Sequence, residues 1–229
     1  MLDERAFEPL DPRIRYPSYV SIDPFVEVER LKALDGYLRS RIERRLTEEG
    51  DRRFYTGPFL LNPDEADRPG TRMIHLSRSK RPPDYYDLNK PDVWEPTEEA
   101  GEFSALMDFI ATLPFERTAR MMIIYDDVAR PVSAHRDHDS TDLLHEFVWF
   151  RTNLDKPFYM LEPGTGERSY VRSYCAWFDT VNQFHGADGA EGLTWSLRVD
   201  GEFTEAFRSH MPAPATNRAS TPALWAALG

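Results

Sequence analysis

From Arg120 onward the sequence breaks into short runs of β-branched, aromatic and aliphatic residues separated by turn residues, and this texture limits the second half of the chain to a layered β architecture. Met121–Tyr125 reads as a core strand. His145–Thr152 (HEFVWFRT), Phe158–Leu161, a long strand Ser169–Asp179 and Leu193–Asp200 follow, with Pro163-Gly164-Thr165-Gly166 marking a turn. Helices come earlier. Asp23 suits an N-cap, Pro24 a first helical position and Gly50 a stop, and Val28, Leu31, Leu34, Leu38, Ile42 and Leu46 make one apolar stripe between them. A second helix is expected from about Glu98 to Leu113, with Phe103, Leu106, Met107, Ile110 and Leu113 on its apolar face and Pro114 ending it. Residues 51–98 read as loops and short strands. Helices first and many strands after predict a β-sandwich or jelly roll buttressed by helices. We expect a single domain: an N-terminal buttress over 1–118, a β core over 119–210, and a Pro/Ala-rich tail over 211–229 ending in a short apolar segment around Trp225.

Within the strand region, His135 and Asp137 stand two apart, so they share one side of an extended segment. Alone, His-x-Asp is a weak signal in an Asp-rich chain with six histidines, and a polar loop that also holds His138, Asp139 and Asp142 would produce it. His185 adds weight, because the Trp177-Phe178-Asp179 strand runs up to it. Two imidazoles and one carboxylate on one side of a ferrous ion leave the opposite side open for substrate and oxygen.

Arg198 is the second half of the pattern. Ser196 and Arg198 share one face of their strand and Leu197 and Val199 the other, so the guanidinium points into the barrel. A buried fork of this kind needs a carboxylate: an internal Asp or Glu, or a bound 2-oxoacid. Around it, Trp149 and Arg151 on one strand face, Arg120 and Asn182 are the candidates for reading a substrate, alongside Arg136, Arg172 and Gln183. Tyr125 and Tyr159 are candidates for hydrogen bonds to a cosubstrate. His75 and His210 read as surface residues, and His138 and His145 fit either role.

A formal net charge of −11 argues against a general nucleic-acid binder or a binder of anionic membranes. One cysteine, Cys175, excludes an internal disulfide, and no stretch has the apolar length of a membrane span. The amino terminus MLDERAFEPLDPR has acids where a secretory signal needs bases and an apolar run, so a cytoplasmic protein is expected.

These residues resemble the iron(II)/2-oxoglutarate-dependent dioxygenase superfamily, whose pattern is His-x-Asp/Glu, a later His, and a basic residue on a following strand. The resemblance covers roughly Arg120 to Phe207 through SAHRDHD, AWFDTVNQFHGAD and TWSLRVDG. The run FRTNLDKPFYMLEPGTGERSYV is similar to the aspartyl/asparaginyl hydroxylase and proline-hydroxylase-like branch. Two departures stand out: Asp127-Val128-Ala129-Arg130 lacks the glycine often found before the first ligand strand, and His145 occupies the place of an arginine. The resemblance implies a double-stranded β-helix (a cupin-like jelly roll), with His135, Asp137 and His185 holding Fe(II) and Arg198, with Ser196 and Tyr125, holding 2-oxoglutarate. It implies O2-dependent oxidation of a substrate with release of succinate and CO2. Asp137 stands where halogenases of the superfamily carry Gly or Ala, which favours hydroxylation over halogenation. A small polar metabolite, such as an amino acid or a natural-product intermediate, is the expected substrate. A metal cupin enzyme that does not use 2-oxoglutarate, and a non-catalytic barrel acting as a binding module, are the alternatives. Homodimerisation through the tail is the expected self-interaction.

Overall fold

In a computed structural model of the chain, the described residues are 19–49, 71–81, 88, 90–126, 130–137, 146–162, 164–180 and 183–211. His138, His145, Asn182 and residues 50–70 and 212–229 lie outside them.

Twelve strands and five helices make up the described part: β1 (Val20–Ser21), α1 (Val28–Ala33), α2 (Asp35–Glu49), β2 (Thr71–His75), β3 (Ser77–Ser79), β4 (Trp94–Pro96), α3 (Glu98–Glu102), α4 (Ser104–Ile110), β5 (Phe115–Asp126), β6 (Val132–His135), β7 (Phe147–Phe150), β8 (Phe158–Leu161), β9 (Arg168–Tyr170), β10 (Cys175–Trp177), β11 (His185–Ala187), β12 (Thr194–Phe203) and α5 (Glu205–Arg208). The larger sheet has the order β1-β10-β7-β12-β5-β2 and the smaller β6-β11-β8-β9; β3 and β4 form a separate hairpin ladder. Every pairing is antiparallel. From β5 to β12 the chain passes repeatedly from one sheet to the other, which is the winding of a double-stranded β-helix.

Register divides the larger sheet into two faces, because directly paired residues point the same way. Leu197 lies between Ile123 and Phe150, and Arg198 between Met122 and Trp149. The first row packs on the helices: Phe109 of α4 meets Phe150 at 5.6 Å, and Arg39 of α2 lies 4.9 Å over the Trp195 ring. Leu31, Leu38, Ile42, Phe103 and Leu106 are fully buried in this layer. The second row faces the smaller sheet, where Trp149 stacks on Phe158 at 4.6 Å.

Three element boundaries differ from expectation. The first helix is broken: a 3-10 turn at Asp23–Phe25 precedes α1, and Leu34 separates α1 from α2. Asp23 caps no helix. Its carboxylate accepts instead from the backbone N–H groups of Tyr174 (3.1 Å) and Cys175 (2.7 Å), tying the N-terminal segment to β10. The second helix splits at Phe103, whose ψ of 36° leaves the helical region. The long strand expected over Ser169–Asp179 is two strands in different sheets, β9 and β10, joined by an irregular segment whose Val171 and Ser173 carbonyls accept from the Arg151 guanidinium.

Candidate metal centre

His135 and His185 are direct partners across the β6–β11 ladder, with ring centroids 4.5 Å apart. Two positions far apart in sequence therefore become adjacent through one strand pairing. His185 does not continue the Trp177–Asp179 strand: β10 lies in the larger sheet, and the chain has crossed to the smaller one by β11. The crossing is pinned by Gln183, whose N–H donates to the Asp179 carbonyl (2.9 Å) and whose side-chain oxygen accepts from the Asp179 N–H (3.0 Å). Asp137 lies just beyond β6, held by its N–H to the Thr180 carbonyl at 3.0 Å. Gly186 makes the approach of β11 possible. A Cβ there would stand 2.6 Å from the Val132 carbonyl oxygen and 2.6 Å from the Tyr159 hydroxyl.

The donor atoms of His135, Asp137 and His185 all lie within 4.8 Å of one another. Asp137 Oδ1 is 3.2 Å from His185 Nε2 and 3.8 Å from His135 Nε2. Each Nδ1 faces a backbone carbonyl, Ser133 at 2.8 Å and Gln183 at 3.2 Å. An Nδ1–H donated to those carbonyls would leave each Nε2 available to a metal ion. The donor set, two neutral imidazoles and one carboxylate oxygen, fits a divalent first-row metal with positions left open for other ligands. Burial alone would push the Asp137 carboxyl up, but His185, Arg198 and His135 together hold it well below the usual carboxylate range.

Arg198 reaches the other oxygen of the same carboxylate. Its Nη1 donates to Asp137 Oδ2 at 3.0 Å, while Nε (3.1 Å) and Nη2 (3.0 Å) meet Asp200 Oδ1. Asp200 is fully buried and also accepts from Arg120 Nε at 2.9 Å. Burial lowers the Arg198 pKa, and the two carboxylates more than reverse that. The fork expected to meet a cosubstrate thus meets the protein's own carboxylates. Asp200 went unread in the sequence, although its position two residues after Arg198 put it on the same face.

A cavity of about 950 Å3 opens beside the triad. Trp149, Phe158 and Phe178 form its aromatic wall, and the rings of Phe178 and Phe158 lie 5.2 and 5.8 Å from His185. Arg120 and Ser196 line it. His75 is exposed, as read, yet also borders the cavity, where burial and then Arg120 lower its pKa. His210 is exposed and packs on Phe25.

Two of the expected residues border the cavity and also make contacts elsewhere. Arg151 lies 5.1 Å over Trp149 but spends its guanidinium on the backbone carbonyls of Ser173, Lys156 and Val171, so it braces the strand connections; burial lowers its pKa to about 10. Tyr125 borders the cavity but pairs in register with Trp195 and Arg72, on the face that packs against the helices and opposite to Ser196 and Arg198. Tyr159 sits on β8 beside Tyr170 and Arg168. Lys156 and Asp126, paired at 3.4 Å, also line the cavity; no pattern in the sequence singled them out.

No protein-family model matches the chain, and no curated protein matches it. Among solved structures it is similar to a Trichoplax adhaerens prolyl hydroxylase in complex with a hypoxia inducible factor oxygen degradation domain peptide fragment, with 11% identity over 90% of this chain and 93% of that one and a TM-score of 0.46. It is also similar to a Pseudomonas putida prolyl-4-hydroxylase (13% identity, 80% and 91% of the two chains, TM-score 0.43). AviO1 from Streptomyces viridochromogenes Tue57 shows 15% identity over 87% and 95% of the two chains, with a TM-score of 0.43.

Proposed function

We propose that this chain is a mononuclear non-haem iron(II) oxygenase that uses 2-oxoglutarate and O2 to hydroxylate a small polar molecule, such as an amino acid or a natural-product intermediate. The observation that carries this reading is the convergence of His135 Nε2, Asp137 Oδ1 and His185 Nε2 on the wall of a 950 Å3 cavity. Bound iron(II) with 2-oxoglutarate would supply oxygen activation coupled to release of succinate and CO2. The protein's part is to bind and orient. The two imidazoles are locked by backbone carbonyls, and Arg198 occupies Asp137 Oδ2 so that the carboxylate presents a single oxygen to the metal. Trp149, Phe158 and Phe178 keep water from the inner wall.

The test is anaerobic titration with iron(II) and 2-oxoglutarate, then an oxygen-dependent succinate assay over a panel of amino acids. One iron per chain and 2-oxoglutarate-dependent succinate release are expected, and both are lost in His135→Ala. Full iron binding by His135→Ala would overturn the site. The internal pairing of Arg198 favours one rival, a metal cupin enzyme that does not use 2-oxoglutarate; oxygen consumption without succinate identifies it.

A further inference from the structure

The cavity is closed at one end and open at the other, and its open end carries cations that the metal-binding side chains do not use. Thr194, Ser196, Arg198 and Asp200 follow one another along the inward side of β12. Thr194 and its partner Asp126 are buried, whereas Arg120, which meets Asp200, has 22% of its side chain exposed and Arg78 has 68%. Both arginines line the cavity, so it opens to solvent beside them. Each is fastened through one nitrogen: Arg120 Nε donates to Asp200 Oδ2 at 2.9 Å, and Arg78 Nε to Glu95 Oε1 at 2.8 Å. The Nη1 and Nη2 atoms of both donate no hydrogen bond among the described residues. The Arg120 charge is felt on this wall: after burial, it is what lowers the pKa of His75.

Resting on the function proposed above, we propose that the substrate is a small carboxylic acid whose carboxylate is bound by the Nη1–Nη2 edge of Arg120, with Arg78 at the cavity mouth. Three arguments favour this. The first is shape. The fully buried Asp200 holds Arg120 by Nε, which fixes the guanidinium plane and leaves two parallel N–H groups that match a planar carboxylate. The second is charge. Asp200 also accepts from Arg198, so one carboxylate is divided between two guanidinium groups. The series Asp137, Arg198, Asp200, Arg120 alternates in sign and ends on a cation, and a substrate carboxylate continues it. Met73 and Met122 on the same wall strengthen that attraction by keeping the local dielectric low, and a cationic substrate is repelled. The third is position. Arg198 touches the metal ligand Asp137, and Asp200 follows it by two residues, ~7 Å along the strand. An acid held at Arg120 is thus anchored at the mouth about one row from the triad side of the cavity, with its carbon skeleton free to extend inward.

The experiment sets amino acids against their primary amides, which keep the amine and side chain and lose the carboxylate charge. Calorimetric titrations of iron(II)-loaded protein saturated with 2-oxoglutarate, under argon, read binding with no turnover. At least one acid should bind, and more tightly than its amide. Arg120→Gln should weaken that acid by about 10- to 100-fold, the range of hydrogen bonds to charged groups. It should leave the amide, iron and 2-oxoglutarate affinities unchanged. Arg120→Lys should recover part of the preference, because it restores the charge without the fork. Arg168→Gln, which removes an exposed cation that does not line the cavity, should keep all of it. Amides that bind as tightly as acids, binding of neither set, or an acid preference that survives in Arg120→Gln or is lost equally in Arg168→Gln overturns the assignment. So does weakened 2-oxoglutarate binding in Arg120→Gln, which would make Arg120 a cosubstrate residue. All of these results leave the proposed function standing, whereas iron-loaded wild type that binds no 2-oxoglutarate overturns that function and this assignment with it.

Discussion

At the scale of single residues, Asp137 is shared: one oxygen faces two imidazoles and the other a guanidinium. The sharing has a thermodynamic consequence in the metal-free protein. A carboxyl whose folded pKa is depressed contributes stability that is complete above its unfolded pKa, about 3.9, and is lost as pH falls through the folded value. His185, Arg198 and His135 hold Asp137 below the usual range despite its burial, so the relevant window opens at about pH 4 and extends downward. Asp137→Asn should therefore lower the thermal midpoint by an amount that shrinks as pH falls below about 4. A gap that is unchanged at pH 3 would mean the carboxylate is not stabilised in the fold. The three candidate ligands stood out in the sequence because metal chemistry restricts residue type and strand geometry restricts spacing. Asp200 and Lys156 were not, because any acid or lysine can be a solvated surface charge, and only strand pairing shows which ones turn inward.

At the scale of elements, strand existence was legible and sheet membership was not. Phe158–Leu161 is found where the aromatic and aliphatic pattern placed it, and the strand expected over Leu193–Asp200 is the longer β12, which begins at Thr194. The stretch from Ser169 to Asp179 looked continuous, because apolar residues fill both halves; the break is made by tertiary contacts, above all the Arg151 guanidinium on the Ser173 and Val171 carbonyls. Asp23 was misread for a related reason: a carboxylate that accepts two N–H groups of a distant strand has the same local sequence as a helix cap. The β6–β11 pairing sets the spacing of His135 and His185, and Gly186 is its tightest point. In Gly186→Ala the new methyl meets backbone oxygen, which a side-chain rotation cannot relieve. We expect a stability loss of about 1–3 kcal/mol in urea unfolding and a weaker iron affinity, since His185 shifts with its strand. An alanine variant of wild-type stability and iron affinity would show that the two strands have slack at this point.

At the scale of the whole molecule, charge is unevenly distributed. The chain carries a formal net charge of −11, yet its cavity is lined by Arg78, Arg120, Arg136, Arg151, Lys156 and Arg198 against Asp126 and Asp137. Most of these cations belong to the strand region, but Met73 and His75 of β2 also reach the wall, so the N-terminal part helps to shape the site. Among the described residues no helix is long and apolar enough to cross a membrane. An anionic ligand bound in this cavity stabilises the folded chain, because ligand binding restricted to the native state adds RT ln(1 + [L]/Kd) to its stability. At a ligand concentration 100-fold above Kd that is about 2.7 kcal/mol, which for a chain of this size corresponds to roughly 5–10 °C in the thermal midpoint. Iron(II) and 2-oxoglutarate added anaerobically should raise the midpoint in steps. The 2-oxoglutarate step should require the metal and shrink as salt is raised, because screening weakens the attraction between a dianion and the cationic wall. His135→Ala should lose both steps. A full 2-oxoglutarate step in metal-free protein would place the anion site away from the triad.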